Sequence, residues 1–415
     1  MASSPPSKLY LPAALLLVVV SVLTQTASAW TAKWINLDLD IVSRINPPRS
    51  GHVAFGLNNK VYVFGGYAED VTTAERYPTN DLWCFEDDND NGNQWTLVKP
   101  ASSSQPQARL AAAAVTCQLD QDTTAGLVLG GWDSQKAGTG GVILKDVQAY
   151  ISSEDGAGGN IEDSGSWREL QTDLQEPTSR LCAVTLGDGS SFTQKQKQVL
   201  IHNHRCTDHV LLLDLETSKL CKQPVSGTAP SARGLHSCVR LPGTSKIVLF
   251  GGAAQDGNMS NEVFVLDTET WVWENCCLQE TEKNHDIVPS PRASPCFIAL
   301  DENSCILFGG AAISDEGGLH GCSDTWLLEL IESKSNDGSS STTRAKWTQL
   351  DEDGSANAPP GRNAATLTPL PSKPQVLRGE GDDDNGDSQF FLLSGGWYPF
   401  RTTYGDNFVL KVTKK

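Results

Sequence analysis

An all-β repeat protein of six similar units is predicted by three observations. Apolar runs end in a glycine pair, an arginine stands ahead of each run, and an acid follows it at the head of another apolar run. The glycine-ended runs are VYVFGG at 61–66, LVLGG at 127–131, VLFGG at 248–252, ILFGG at 306–310 and FLLSGG at 391–396. Their length and continuous apolarity are those of strands buried on both faces. A period of this size means a repeat architecture, so it takes precedence over local patterning.

The first 29 residues stand outside the repeat. Lys8 precedes an apolar stretch from Leu9 to Leu23, then Thr24, Gln25 and Thr26, then Ala27-Ser28-Ala29. A basic start, a short apolar middle and an A-x-A end predict a secretory signal peptide over 1–29, cut between Ala29 and Trp30. The chain is then expected in the secretory lumen or outside the cell. A two-part plastid presequence is the lesser alternative, because repeat-like sequence begins almost at once.

The repeat proper occupies 30–415. The glycine pairs are Gly65-Gly66, Gly130-Gly131, Gly251-Gly252, Gly309-Gly310 and Gly395-Gly396. Glycine there permits a turn with positive φ or a close backbone approach. The arginines are Arg49, Arg109, Arg180, Arg233, Arg292 and Arg362, and the acids are Asp81, Asp146, Asp208, Glu262, Asp324 and Asp406. A residue type recurring once per unit reads as scaffold, a polar pair fixing each unit to the next. Trp34, Trp95, Trp167, Trp273 and Trp347 precede the next arginine by 13 to 19 residues, and Leu220 fills the slot before Arg233.

Together these residues resemble the kelch repeat, one copy of which is a four-stranded propeller blade. The resemblance spans nearly all of 30–415 and implies a six-bladed β-propeller of the kelch and galactose oxidase superfamily. Trp34 lies ahead of the first arginine, and the last strand, DNFVLKV, has no tryptophan after it. The strand around Trp34 is therefore expected in the last blade, closing the ring and covering its open edge. Three polar stretches at 152–166, 333–344 and 378–387 read as exposed insertions between strands.

Charge narrows the partners. The 32 Lys and Arg against 50 Asp and Glu give a net charge of −18, which excludes the basic footprint that nucleic acid or an anionic membrane needs. No stretch after the leader reaches a membrane-span length of apolar residues, and the mature chain reads as a monomer. Eleven cysteines in an oxidising compartment predict disulfides, with at least one thiol left over, and their connectivity is open.

The third repeat breaks the pattern. Reading VLIHN at 199–203 in register puts His202 and Asn203 where the glycines should be. If the strand continued, His202, His204 and Cys206 would alternate onto one face, with His209 across a hairpin, which is a zinc- or copper-type ligand set. Decay of the repeat explains the same residues without a metal, and no metal or other cofactor is expected. DDNDNG at 87–92 opens like a calcium loop but has Val98 where that loop needs a bidentate Glu. Asn258-Met259-Ser260 is a glycosylation sequon, and Asn258 is its acceptor. No nucleophile or phosphate-loop motif occurs, so no catalytic residue is assigned.

The function expected is a non-catalytic binding module of the secretory pathway, offering loops on one propeller face to a protein or glycan. The alternative is a carbohydrate-acting enzyme. In being a six-bladed ring behind a leader the chain resembles the sialic acid mutarotases, and less closely the copper-radical oxidases.

Overall fold

Each glycine-ended run is the second strand of a sheet of four antiparallel strands, to which one sheet adds the short parallel strand Ser226–Gly227, and six such sheets are present among the described residues. The computed structural model describes residues 30–37, 46–88, 92–100, 105–135, 140–152, 165–187, 197–276, 288–334, 341–350, 357–374 and 388–415. The leader, the core of each polar insertion and residues 89–91 of DDNDNG lie outside them. Among the described residues there is no α-helix, and none long and apolar enough to cross a membrane.

The second strands are apolar without alternation because both of their faces are covered. In Lys60–Phe64 the residues Tyr62, Val63 and Phe64 are fully buried, as are Val248, Leu249 and Phe250 in Lys246–Phe250. The first strands of the first three sheets alternate instead. In Val53–Leu57, Val53, Phe55 and Leu57 are buried while Ala54 and Gly56 are half-buried. Alternation places one face of these strands against a neighbouring sheet.

The six first strands adjoin in a circle. Val53–Leu57 lies beside Ala113–Gln118, followed by Cys182–Thr185, Ser237–Arg240, Cys296–Ala299 and Thr366–Pro369, which returns to Val53–Leu57. Between successive sheets lie six apolar clusters, the last joining Val61, Val63 and Trp83 to Phe390, Leu392 and Val409. The two ends of the chain share a sheet: Trp30–Asn36 pairs antiparallel with Asn407–Lys414, with Trp34 opposite Leu410.

Repeat tryptophans pack on the last residue of the preceding sheet's second strand. Trp34 meets Phe308 at 4.6 Å, Trp167 meets Phe64 at 4.7 Å and Trp347 meets Phe250 at 5.2 Å between ring centroids. Trp34 also donates its Nε1–H to Thr325 Oγ1 at 2.9 Å.

The glycine pairs are required by sterics as well as by φ. Gly65 and Gly66 sit at φ +69° and +98°, and a Cβ on Gly65 would lie 2.7 Å from the Arg109 carbonyl oxygen. Five arginines meet their acids. Arg292 Nη1 donates to Asp324 Oδ1 at 2.6 Å and to the Gly309 carbonyl at 3.0 Å, and Nη2 reaches Asp324 Oδ2 at 2.8 Å. Arg49–Asp81, Arg109–Asp146 and Arg362–Asp406 repeat the arrangement, and Arg233 reaches Glu262 through Nη2 alone.

The third repeat differs from its sequence register at two points. Arg180 does not occupy the scaffold position and does not meet Asp208. Thr178 stands there, its carbonyl taking the Gly131 N–H at 2.9 Å as the Arg109 carbonyl takes that of Gly66 at 2.7 Å. Four residues on, Cys182 opens the first strand, as Val53 does after Arg49. His202, likewise, is not at the first glycine position. It ends its strand opposite Cys182 as Phe64 does opposite Val53, so it replaces the phenylalanine, and Trp273 packs on it at 5.9 Å. Asn203 and His204 take the glycine places, and neither adopts positive φ.

Candidate binding face

The connections that lead into first strands and those that join second to third strands emerge on the same face, so the arginine–acid pairs lie there too. Two residues beyond each scaffold position the chain enters the left-handed region: Gly51, Ala111, Arg180, Leu235, Ser294 and Ala364 have φ of +50° to +66°. These residues are tied into a closed cycle by their backbones. The N–H of Gly51 donates to Ala364, Ala111 to Gly51, Arg180 to Ala111, Leu235 to Arg180, Ser294 to Leu235 and Ala364 to Ser294, at 2.7–3.2 Å. Every member's N–H and carbonyl are engaged with its two neighbours, which leaves the side chains to meet a ligand at this rim.

Five of the six rim side chains are uncharged, and the sixth is Arg180. It is exposed, and among the described residues it forms no ion pair. The positive φ is shared by every rim position and so belongs to the fold, but only Arg180 presents a charged side chain there. Arg205 and His204 sit close by. Arg205 reaches Glu176 at 3.0 Å and donates to Thr178 Oγ1 at 3.3 Å, bringing a guanidinium toward the place that Arg49 or Arg292 fills elsewhere. Partial burial, then the charge of Arg205, lowers the pKa of His204, with Arg180 adding to the effect. Two guanidiniums, Arg180 and the Glu176-paired Arg205, thus stand at the third repeat beside a neutral His204.

Below the rim, the seam between the third and fourth sheets is built unlike the others. His202 Nδ1 and His236 Nε2 are 2.9 Å apart, so one ring donates to the other, and both rings are buried. Burial, then the charge of Arg233, lowers the pKa of His202 to about 3, and His236 is pushed well below its ordinary value by burial first. The pair is neutral. A disulfide joins Cys182 to Cys238 across the same seam, with Cα atoms 6.0 Å apart.

The sequence-predicted ligand set is not assembled. The strand stops at His202 and the chain turns through 203–208, so the alternation needed to align His202, His204 and Cys206 does not exist. His204 is exposed, and His209 Nδ1 bonds Asp208 Oδ1 at 2.7 Å. Cys206 is buried, directed at the Ile201 carbonyl and Asn203 Oδ1, and burial raises its thiol to about 11, which keeps it protonated. No group of three or more His, Cys, Asp or Glu side chains converges as a metal site among the described residues. Of DDNDNG, Asp87 and Asp88 end the strand Leu82–Asp88 and Gly92 opens Gly92–Leu97, so strands and not helices flank residues 89–91, which lie outside the described residues. Asn258 is exposed in the second-to-third connection of the fourth sheet, where Nδ2 donates to Asp256 Oδ2 at 2.7 Å.

Residues 197–385 match the KLHDC2/KLHL20/DRC7 Kelch-repeats domain, and residues 48–102 match the Kelch motif. The chain is a kelch-repeat protein. Among kelch-type relatives, it is 24% identical over 280 residues to Kelch domain-containing protein 2 of Bos taurus, covering 63% of each chain. It is 29% identical over 132 residues to Host cell factor of Drosophila melanogaster, covering 29% of this chain and 8% of that one. The chain therefore spans under two thirds of the length of either relative. The solved structure of YjhT covers 89% of this chain and 98% of its own at a TM-score of 0.54 and 14% identity, which shows the fold alone. Kelch β-propeller architecture, read from the glycine, arginine and tryptophan pattern, is what these comparisons show.

The role of Arg180 could not be read from its spacing. The signal that would have found it is the proline one residue before the scaffold position: Pro48-Arg49 and Pro291-Arg292 align with Pro177-Thr178, leaving Arg180 two residues beyond.

Proposed function

We propose that this kelch propeller is a protein-recognition module, and that its rimmed face takes a partner segment through a carboxylate seated on Arg180. Arg180 carries the reading: it is the one charged member of the six-residue cycle, exposed and without an ion pair among the described residues. A guanidinium binds a carboxylate through two parallel hydrogen bonds, and Arg is enriched where a few side chains dominate binding. Arg205, although paired with Glu176, places a second guanidinium nearby, and such charge steers encounter more than it tightens the complex.

The reading is tested with peptides bearing a free carboxylate, as Asp, Glu or chain terminus, beside the same peptides amidated. Arg180→Ala should weaken the carboxylate peptides at least tenfold and leave the amides unaffected. Equal binding by the variant and the parent protein would sink it. A carbohydrate-acting enzyme is the reading less favoured. Every described carboxylate whose acidity departs from the ordinary is pushed down rather than held protonated for proton transfer, Asp81, Asp146 and Asp324 among them.

We also propose entry into the secretory pathway, supported by the leader, the sequon at Asn258 and the inter-sheet disulfide. Intact mass of protein recovered from the medium should place the first residue at Trp30, and Asn258→Gln should remove a glycan mass. Protein that keeps residues 1–29 and carries no glycan would overturn it.

A further inference from the structure

Three hairpins stand beside one another on the rimmed face. They are Tyr67–Glu69 with Arg76–Pro78, Ala311–Ile313 with Leu319–Gly321, and Trp397–Tyr398 with Thr402–Thr403, from the first, fifth and sixth repeats. The guanidinium of Arg76 lies 5.4 Å from the Trp397 ring centroid and 4.9 Å from that of Tyr67, joining the first hairpin to the third. The Leu319–Gly321 strand adjoins Trp397–Tyr398, joining the second to the third.

Their tips are apolar and open to solvent. Val71 is 82% exposed, Phe400 80% and Ile313 56%, and Phe400 packs edge-on to Trp397 at 5.4 Å. Single exposed apolar side chains are ordinary, but three adjacent tips backed by a braced tryptophan form a patch. Exposed aromatic groups flanked by arginine are the composition of energetically dominant interface positions.

Charge says what covers the patch. The three hairpins carry five carboxylates, Glu69, Asp70, Glu75, Asp315 and Glu316, against two guanidiniums, Arg76 and Arg401. Arg76 is spent on Glu69 at 3.6 Å and on the tryptophan. Glu75, Asp315 and Glu316 are exposed and form no ion pair among the described residues. An apolar patch with an acidic rim repels a second copy of this acidic chain and an anionic lipid surface. It complements a protein segment with apolar anchors between lysines and arginines.

We infer that this hairpin surface is a second docking site, separate from Arg180, for a basic protein segment with two or more large apolar anchors. The test is selection of a random dodecapeptide phage library on the full chain, followed by titration of the enriched peptides. They should combine at least two large apolar residues with a net positive charge. They should bind at least tenfold more weakly to Val71→Ser/Ile313→Ser/Phe400→Ser and to Glu75→Lys/Asp315→Lys/Glu316→Lys, and as tightly to Arg180→Ala as to the parent. The charge-reversal variant keeps the test decisive if the serine variant folds poorly. Enriched peptides that are acidic, or that bind both variants as tightly as the parent, overturn the inference. So does an unenriched selection combined with tip-dependent binding to phosphatidylcholine vesicles or to a glycan array. Because Arg180→Ala leaves this site intact, failure of one site does not imply failure of the other.

Discussion

Arg180 and Arg292, which look equivalent in the sequence repeat, should behave oppositely when removed, and the difference can be worked from their surroundings. Arg292 makes five hydrogen bonds: to the Ser290 carbonyl and Oγ, to the Gly309 carbonyl, and to both oxygens of Asp324. Burial pushes the Asp324 carboxyl up, but the hydrogen bonds and charge of Arg292 outweigh it and hold it below its ordinary range. Arg292→Met keeps the apolar stem, strands the Gly309 carbonyl and leaves Asp324 with the Trp326 indole. Removing one partner of a buried pair costs roughly 3–5 kcal/mol. The Asp324 side chain is 22% exposed and rehydrates in part, which favours the lower end, about 3 kcal/mol. For a chain of 415 residues that lowers the melting midpoint by about 4 °C. Arg180→Ala removes no ion pair formed among the described residues and leaves the backbone cycle untouched, so it should move the midpoint by less than about 1 °C. Both are read by thermal melting followed by far-ultraviolet circular dichroism. Were Arg180→Ala as damaging as Arg292→Met, Arg180 would belong to the scaffold and the rim assignment would fall.

Two further outcomes follow from the disulfide between the third and fourth sheets and from the buried imidazoles, His202 and His236 at that seam and His52 beside Thr366. The Cys182–Cys238 bond spans 56 residues, and loop-closure entropy of that size gives about 4 kcal/mol. Reductant should lower the urea midpoint of the parent to that of Cys182→Ala/Cys238→Ala and leave the variant alone; a parent indifferent to reductant refutes the bond. The buried neutral imidazoles make stability fall with acid. His52 and His202 have folded values near 3, burial being the larger cause in each, and His236 also lies well below its ordinary value. Their contribution is complete above their unfolded value of about 6.5 and is lost as pH falls toward the folded one, at roughly 1.4 kcal/mol per pH unit for each ring. Urea unfolding between pH 6 and 4.5 should therefore show a slope near 4 kcal/mol per unit from three rings, above the range where the depressed carboxylates Asp81, Asp146 and Asp324 begin to protonate. A flat profile over that range would mean the rings are charged or exposed.

The architecture was legible because its signals are steric and repeated. A Cβ at Gly65 or Gly309 would collide with a backbone carbonyl, so those positions stay glycine, and their recurrence marks each second strand. Five arginines could be paired with acids from order alone. Register within the third repeat was not legible, since the marks that set it elsewhere, the glycines and the scaffold arginine, are the residues it has replaced. Counting from Arg180 shifts the repeat by two positions, and equating His202 with a glycine shifts it by one. Only the ladder, with Cys182 opposite His202, restores the alignment. The histidine pair and the disulfide were hidden for another reason: His202 with His236, and Cys182 with Cys238, meet across a boundary between sheets, 34 and 56 residues apart. The hairpin tips read as ordinary loops, because only the adjacency of the fifth, sixth and first repeats makes a patch of them.

The pairing of Trp30–Asn36 with Asn407–Lys414 sets an order on biosynthesis. The outer strand of the last sheet is made before every other described strand, and its partner after all of them. Until residue 414 has emerged, the Trp34 ring has neither Phe308 nor Phe408 to pack against in a finished sheet. The nascent chain thus holds an unsatisfied strand edge until that partner is made, and closure joins segments far apart in sequence. Anything fused to or retained ahead of Trp30 travels with that waiting strand and must clear the closing sheet.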